Sequence, residues 1–182
     1  MRIIAGQWRG RKLAAPEGDA TRPTADRTRE TLFSMLVSRL GSFEGLRVAD
    51  LFAGSGALGL EALSRGAAHA LFAEQAPAAI RAIRANIAAL HAQGQCDVRA
   101  GSVMALGPAR EAYDLILLDP PYETGAGLVA LDKLNRLGWM TPATWVALET
   151  GAREPAAPKG FEVMAERVVG KARLTLLRLS EG

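Results

Sequence analysis

The residues best suited to chemistry in this chain are an acid, two prolines and a tyrosine. Asp119-Pro120-Pro121-Tyr122 follow directly on the apolar run YDLILL. Asp119 and Pro120 each precede a proline, which drives both to extended backbone. The two rings fix φ and remove two N–H donors. What remains is a rigid edge of acceptors, the Asp119 carboxylate and the Pro120 carbonyl, beside the flat face of Tyr122. That edge suits a planar heterocycle bearing an exocyclic amino group. Such a nitrogen is a poor nucleophile because its lone pair is delocalised into the ring. Two acceptors holding its protons favour a more tetrahedral nitrogen, with the lone pair aimed at an electrophilic methyl group. Positioning then supplies most of the rate, and Asp119 takes the proton. Tyr122 stacks on the base, a contact typically worth about 1–3 kcal/mol.

A second cluster lies upstream, in ADLFAGSGALGLEAL. Gly54-Ser55-Gly56-Ala57-Leu58-Gly59 is a G-x-G-x-x-G between an expected strand and an expected helix, where glycines let the backbone turn tightly and approach a ligand. Glu74 ends the next strand, placed to accept hydrogen bonds from ribose hydroxyls. Taken alone, this pattern fits a dinucleotide site and an NAD(P)-dependent oxidoreductase. Asp50, four residues before Gly54, argues against it, because a carboxylate facing a pyrophosphate is unfavourable. A ligand with a cationic amino-acid end welcomes that carboxylate. S-adenosylmethionine is such a ligand: it keeps an adenosine for Glu74 and has an ammonium and a sulfonium in place of phosphates. Asp-Pro-Pro-Tyr also has no evident use in a dehydrogenase.

The elements that must hold these clusters follow from periodicity. Strands are expected at 47–52, 69–74, 96–101, 113–119 and 144–150, and helices at 57–66, 77–94 (closed by Gly94) and 127–138. Strands at 161–169 and 172–180 have no helix between them, and Gly170-Lys171 makes them a tight hairpin. Repeated βα units followed by an antiparallel hairpin imply an α/β, Rossmann-like, mostly parallel sheet covered on both faces. Ahead of it, residues 2–14 read as a β-hairpin around Gln7-Trp8-Arg9-Gly10. Thr24 reads as the N-cap of a helix running to about Leu40. The chain thus divides into an N-terminal basic hairpin and helix, 1–40, and a core, 41–182.

At 182 residues, with 49% apolar and 23% charged, the composition is that of a globular protein with one sizeable core. No apolar run approaches the roughly 20 residues that span a membrane. The N-terminal MRIIAGQWRGRKL lacks the apolar block of a signal peptide, so a cytoplasmic protein is expected. Cys96 is the single cysteine, which excludes an internal disulfide and a cysteine-cluster metal site. His69 and His91 are too few and too separate to suggest a metal. The net charge of +3 is unevenly spread. Residues 1–40 hold eight Lys or Arg against four Asp or Glu, a balance of +4, and the remaining 142 hold fourteen against fifteen, a balance of −1. A basic excess confined to one short segment suggests a polyanionic partner.

DLFAGSGALG with Glu74 and DPPY resembles the class I S-adenosylmethionine-dependent methyltransferases that act on exocyclic amines. The resemblance implies that Asp50, Phe52, Ala53, Gly54, Ser55 and Gly56 hold the methionine part of the cofactor, Glu74 and Gln75 the ribose, and Ser102 and Val103 the adenine. Many relatives carry an acid where this chain has Ser102, which opens the backbone as the source of that adenine contact. DPPY alone does not choose among adenine, cytosine, guanine and a protein glutamine. RIIAGQWRGRKL followed by RPTADRTRETLF looks like the RsmD family, bacterial methyltransferases of guanine N2 in small-subunit (16S) ribosomal RNA. The resemblance spans about residues 2–122 and is weaker afterwards. It implies action on ribosomal RNA or a small-subunit assembly particle, and a monomer without metal or membrane is expected. Arg2, Arg9, Arg11 and Lys12 on the hairpin are then expected to contact phosphates across the cleft, with Trp8 packing or stacking. Arg22, Arg27 and Arg29 face RNA or cofactor, or pair with Asp26 and Glu30. The alternatives are a DNA adenine or cytosine amino-methyltransferase, the oxidoreductase above, and a non-catalytic RNA-binding factor with a vestigial cofactor site.

Overall fold

A computed structural model describes residues 1–17, 23–154 and 156–181. After α1 (Pro23–Leu40), strands and helices alternate: β1 (Arg47–Leu51), α2 (Ala57–Ser64), β2 (His69–Glu74), α3 (Pro77–Ala89), β3 (Cys96–Ala100), β4 (Leu115–Leu118), α4 (Ala126–Arg136) and β5 (Trp145–Gly151). The chain closes with β6 (Phe161–Val169) and β7 (Ala172–Leu179). The seven strands form one sheet in the order β3-β2-β1-β4-β5-β7-β6. β1 to β5 pair in parallel, and β7 is antiparallel to both β5 and β6. The expected architecture therefore holds, and β4 lies beside β1, so DPPY emerges next to the glycine loop.

Strand alternation builds two cores. Val48, Phe72, Leu115 and Leu117 face one side, where Phe33 and Leu36 of α1, Leu60 and Leu63 of α2, and Ile83 and Ile87 of α3 cover them. Ala49, Leu51, Leu71, Ile116 and Leu118 face the other, under Leu131 and Leu134 of α4 and Trp139. Ile3 and Leu13 belong to the first core, so the N-terminal segment shares its apolar interior with the sheet. Among the described residues no helix is long and apolar enough to cross a membrane.

Four local expectations are corrected. The N-terminal hairpin is a loop closed by one antiparallel bridge, Arg2 to Lys12, rather than two strands. Ile3, Gly10 and Leu13 N–H bond across the loop, to Arg11, Ile3 and Met1 carbonyls, while Ile4 and Ala5 N–H donate to the Glu61 carboxylate of α2 at 2.8 and 3.1 Å. Gln7 N–H donates to the Ser64 carbonyl and Trp8 N–H to Ser64 Oγ. α1 begins at Pro23, so Thr24 lies within the first turn instead of capping it. α3 ends at Ala89, and His91 takes a left-handed φ of 53° just beyond it. Gly94 falls in a separate 3-10 turn, Gln93–Gln95. β4 is shorter than expected because Tyr113 N–H turns to the Trp139 carbonyl.

Candidate active site

Strand register sets the site. Leu51 of β1 pairs with Ala73 of β2 and Leu118 of β4, and Leu118 pairs with Leu148 of β5. One residue further on, Glu74 at the end of β2, Phe52 and Asp119 just past β1 and β4, and Glu149 near the end of β5 stand level across four adjacent strands. That edge is where open α/β sheets bind ligands.

The glycine loop turns immediately after β1. Phe52 has φ 59° and Gly54 φ 58°. A left-handed phenylalanine is an uncommon, strained conformation that persists only where its surroundings fix it. Gly54 N–H donates to Glu74 Oε1 at 2.9 Å, tying the loop to the end of β2. Asn86 Nδ2 holds the Ser55 carbonyl from α3 at 3.0 Å. Gly59 provides close helix–strand packing: a Cβ there would stand 2.5 Å from Phe72 Cε1.

Asp50 departs from its expectation. It is fully buried beneath the loop, lines neither cavity of the cleft, and accepts Gly59 N–H on Oδ2 at 2.9 Å. Its other oxygen has no partner. Burial pushes its pKa up to about 8, partly offset by the Gly59 bond, with the Glu74 charge adding to the rise. The Asp50 carboxyl group therefore braces the loop and the first turns of α2 from below instead of meeting a ligand directly.

Glu74 does reach the cleft, with its carboxylate already engaged by backbone. Besides Gly54, the N–H groups of Gln75 and Ala76 donate to Oε2, both at 2.8 Å. Ser102 Oγ accepts Met104 N–H and caps a 3-10 turn, Val103–Ala105. Val103 is buried beside it. With Phe52, Gly54, Gln75 and Gly101, these residues line a cavity of about 560 Å³ that DPPY closes. A Cβ built on Gly54 or Gly101 would meet nothing within 4 Å, so both glycines present bare backbone to open space. Ala53, Ser55 and Ala57 face a neighbouring cavity of about 680 Å³ with Met1, Arg27, Arg29 and Lys171. Gly56 lies behind the loop, where its φ of 81° strains any side chain and a Cβ would crowd Phe72 at 3.3 Å. Phe52, Gly54, Asp119, Tyr122 and Glu149 line both cavities. The two spaces therefore meet at the acceptor edge.

At that junction Tyr122 Oη donates to Glu149 Oε2 at 2.6 Å. Pro120 is buried, and Gly127 at the start of α4 packs close to it and to Leu148. Glu123, at φ 62°, donates its N–H to Glu154 Oε1, which also accepts Gly151 N–H. Asp119 opens into the cleft on one side, yet its carboxyl is lifted well above the ordinary range. Lost hydration contributes most, followed by the neighbouring Glu149 and by Asp50. Lost hydration and the bond to Glu149 also raise the Tyr122 hydroxyl.

The basic side chains of the N-terminal loop are not brought to this cleft, whereas Arg27 of α1 is. Trp8 is half-buried against the first core, beside Ser64, the last residue of α2. Arg11 donates to the Ala89 carbonyl at the end of α3, and Arg2 to the Gly10 carbonyl. Arg9 and Lys12 are exposed but line neither cavity. Arg22 lies outside the described residues. Arg29 is buried, 3.5 Å from Asp26 and 4.0 Å from Glu61, and donates to the Arg2 carbonyl. It is structural. Sequence reasoning passes over Glu149, as part of a strand, and Lys171, as part of a turn. The available signal for Glu149 is an acid at the end of a second central strand, matching Asp119. Among the described residues no group of three or more His, Cys, Asp or Glu is gathered as metal ligands would be.

The family model "Conserved hypothetical protein 95" matches residues 1–178. Over 178 residues the chain is 36% identical to the ribosomal RNA small subunit methyltransferase D of Escherichia coli K12, covering 97% of this chain and 88% of that protein. A solved structure, the putative methyltransferase yhhF from Escherichia coli, superposes with a TM-score of 0.85 at 34% identity, covering 100% of this chain and 99% of the other. The magnesium protoporphyrin IX methyltransferase of Synechocystis, solved with bound S-adenosylmethionine, shares the fold at a TM-score of 0.66 and 16% identity, over 90% and 87% of the two chains.

Proposed function

The chain belongs to the family described as conserved hypothetical protein 95, the RsmD family, and from that premise we propose that it methylates the exocyclic N2 of a guanine in small-subunit ribosomal RNA. S-adenosylmethionine is the methyl donor. The residues present fit it: bare backbone at Gly54 and Gly101 opens into a cavity that also holds Glu74, Gln75, Ser102 and Val103. Bound there, it supplies a methyl group made electrophilic by a sulfonium. Glu74 fixes the loop and keeps lone pairs for hydroxyl donors, and Asp50 holds the loop from beneath.

The single observation that carries the reading is the meeting of two cavities at the acceptor edge. Cofactor would fill the 560 Å³ side and extend past Gly54 toward Ala53 and Ser55, which face the 680 Å³ side, and the rest of that side is left for the target base. Asp119 and the Pro120 carbonyl hold the two protons of the amino group, which turns the nitrogen lone pair toward the cofactor side. Tyr122 supports the base by stacking, and Asp119 receives the proton released as the N–C bond forms. A guanine N2 is normally paired, so the base enters as an unpaired or flipped-out nucleotide. Arg27 and Lys171 at the rim of the base cavity suit the flanking phosphates, and the exposed Arg9 and Lys12 offer a second, more distant basic contact.

Purified protein with methyl-labelled S-adenosylmethionine is to be offered small ribosomal subunits from a strain lacking the enzyme, naked ribosomal RNA and duplex DNA. Each product is then digested to nucleosides. Label in N2-methylguanosine from RNA is the expected result. Label in methyladenine or methylcytosine would keep the fold and cofactor and overturn the base and substrate.

A further inference from the structure

Glu149 stands one strand over from Asp119, and strand register puts both at the same height on the sheet edge. They differ from the two prolines in the cavities they line. Of the DPPY residues, Pro120 and Pro121 line only the cofactor-side cavity, whereas Asp119, Tyr122 and Glu149 line both. A base entering from the other side therefore meets two carboxylates and one ring on its own side, and reaches the Pro120 carbonyl only with the amino group it extends to the junction of the two cavities. Tyr122 Oη grips Glu149 Oε2 at 2.6 Å, so the second carboxylate is held in place instead of swinging out to solvent.

Resting on the guanine N2 reading above, we infer that Glu149 is the residue that selects guanine, accepting the N1–H of the base while Asp119 accepts from its N2 amino group. The Watson–Crick edge of guanine carries these two donors side by side. Adenine places an acceptor, N1, beside its amino group, and cytosine likewise places N3 beside N4. Against either base the Glu149 carboxylate faces a lone pair, leaving a desolvated acceptor opposed by another acceptor. Asp-Pro-Pro-Tyr is blind to this difference because it handles only the amino group. Glu149 adds the second contact. The mutual influence of the two carboxyls, visible in the raised pKa of Asp119, accords with their facing one small edge. Tyr122 then has two roles, stacking on the base with its ring and positioning Glu149 with its hydroxyl.

The test compares guanine with 2-aminopurine at the methylated position of small-subunit RNA, once labelling has located that position. 2-Aminopurine keeps the 2-amino group but carries an acceptor at N1 in place of the N–H. Sites built to hydrogen-bond a substrate N–H reject analogues lacking it strongly. Wild-type kcat/KM should therefore favour guanine by on the order of 100-fold or more. Glu149→Gln keeps an oxygen for Tyr122 and adds an NH₂ that can donate to N1. It should lose guanine activity at least about tenfold and narrow the guanine to 2-aminopurine ratio by at least about tenfold, with S-adenosylmethionine affinity by calorimetry unchanged. An unaltered ratio in Glu149→Gln, with guanine N2 still methylated, overturns the role of Glu149 and spares the function. If the variant does not fold, the wild-type ratio decides: equal use of the two bases overturns the inference. A wild type that labels no guanine N2 in any RNA overturns the functional reading, and this inference with it.

Discussion

Asp119 and Asp50 sit on adjacent strands and have opposite consequences for pH. Asp119 must be ionised to accept amino protons well, and loss of hydration and the Glu149 charge hold its pKa well above the usual carboxylate range. Turnover should therefore fall on acidification at a pH where an ordinary aspartate, with a pKa of about 3.9, is still fully ionised. A kcat profile that falls only where an ordinary aspartate titrates would show that Asp119 is not raised in the working site. Asp119→Asn should lower kcat by about 10²–10⁴-fold, and calorimetric titration with S-adenosylmethionine should show cofactor affinity largely retained. Asp50 acts on stability instead. Its native pKa is near 8 against 3.8 for the free side chain, so between those values the folded chain keeps a proton that the unfolded chain releases. Stability is thus fully present below pH 3.8, declines as pH rises toward 8, and levels off above. Asp50→Asn, whose amide oxygen can still accept Gly59 N–H, should flatten that slope in urea melts of the cofactor-free protein. Parallel slopes for variant and wild type would show that Asp50 is not the group responsible.

The elements show what is legible in a sequence and what is not. DPPY and the glycine loop can be read because their constraints are local: proline rings, positive φ at Gly54 and Gly56, and strand alternation act within a few residues. The N-terminal loop cannot be read that way, because several partners of its backbone lie more than fifty residues away on α2. Glu61 illustrates the difficulty. A lone acid in a short helix reads as its solvated face, yet α2 is buried nearly all round and Glu61 is fully buried, accepting from Ile4, Ala5 and the Arg65 guanidinium, the last at 2.9 Å. The same carboxylate faces Arg29, whose pKa burial lowers while Asp26 and Glu61 hold it up. Glu149 escapes for a related reason, since its importance depends on which strand lies next to which. Removing one partner of such a buried ionic set leaves the others uncompensated, which typically costs about 3–5 kcal/mol. Glu61→Ala should destabilise the protein by about 3 kcal/mol or more in chemical denaturation and expose the segment before residue 17 to proteolysis. A loss below about 1 kcal/mol would mean that the loop is held by its apolar packing, Ile3 and Leu13, alone.

At the scale of the whole molecule, charge and shape point to a substrate larger than the cavity. The basic balance of residues 1–40 is +4 against −1 for the rest, but the cations divide between two places. Arg27 and Lys171 rim the base cavity, whereas Trp8 and its neighbours dock beside Ser64 at the far end of α2. α2 has eight residues, so that end lies roughly 12 Å from the glycine loop at 1.5 Å per residue. A short strand threading the cleft engages only the first pair, and a folded RNA reaches both. Arg27→Glu with Lys171→Glu should therefore lower kcat/KM on every RNA substrate. Arg9→Glu with Lys12→Glu should weaken binding only to small subunits or full-length RNA, reducing the magnitude of the salt slope by about 0.7–0.9 for each phosphate no longer neutralised. On a short oligonucleotide carrying the target loop the second pair should change little. Arg11 is left out of that variant because its guanidinium is already committed to the Ala89 carbonyl. Equal losses on short and long RNA from the Arg9 and Lys12 variant would place the N-terminal loop at the cleft when RNA is bound, and so require it to move. Unchanged binding to both would mean that its charge serves solvation, leaving Arg27 and Lys171 as the cations that draw the RNA in.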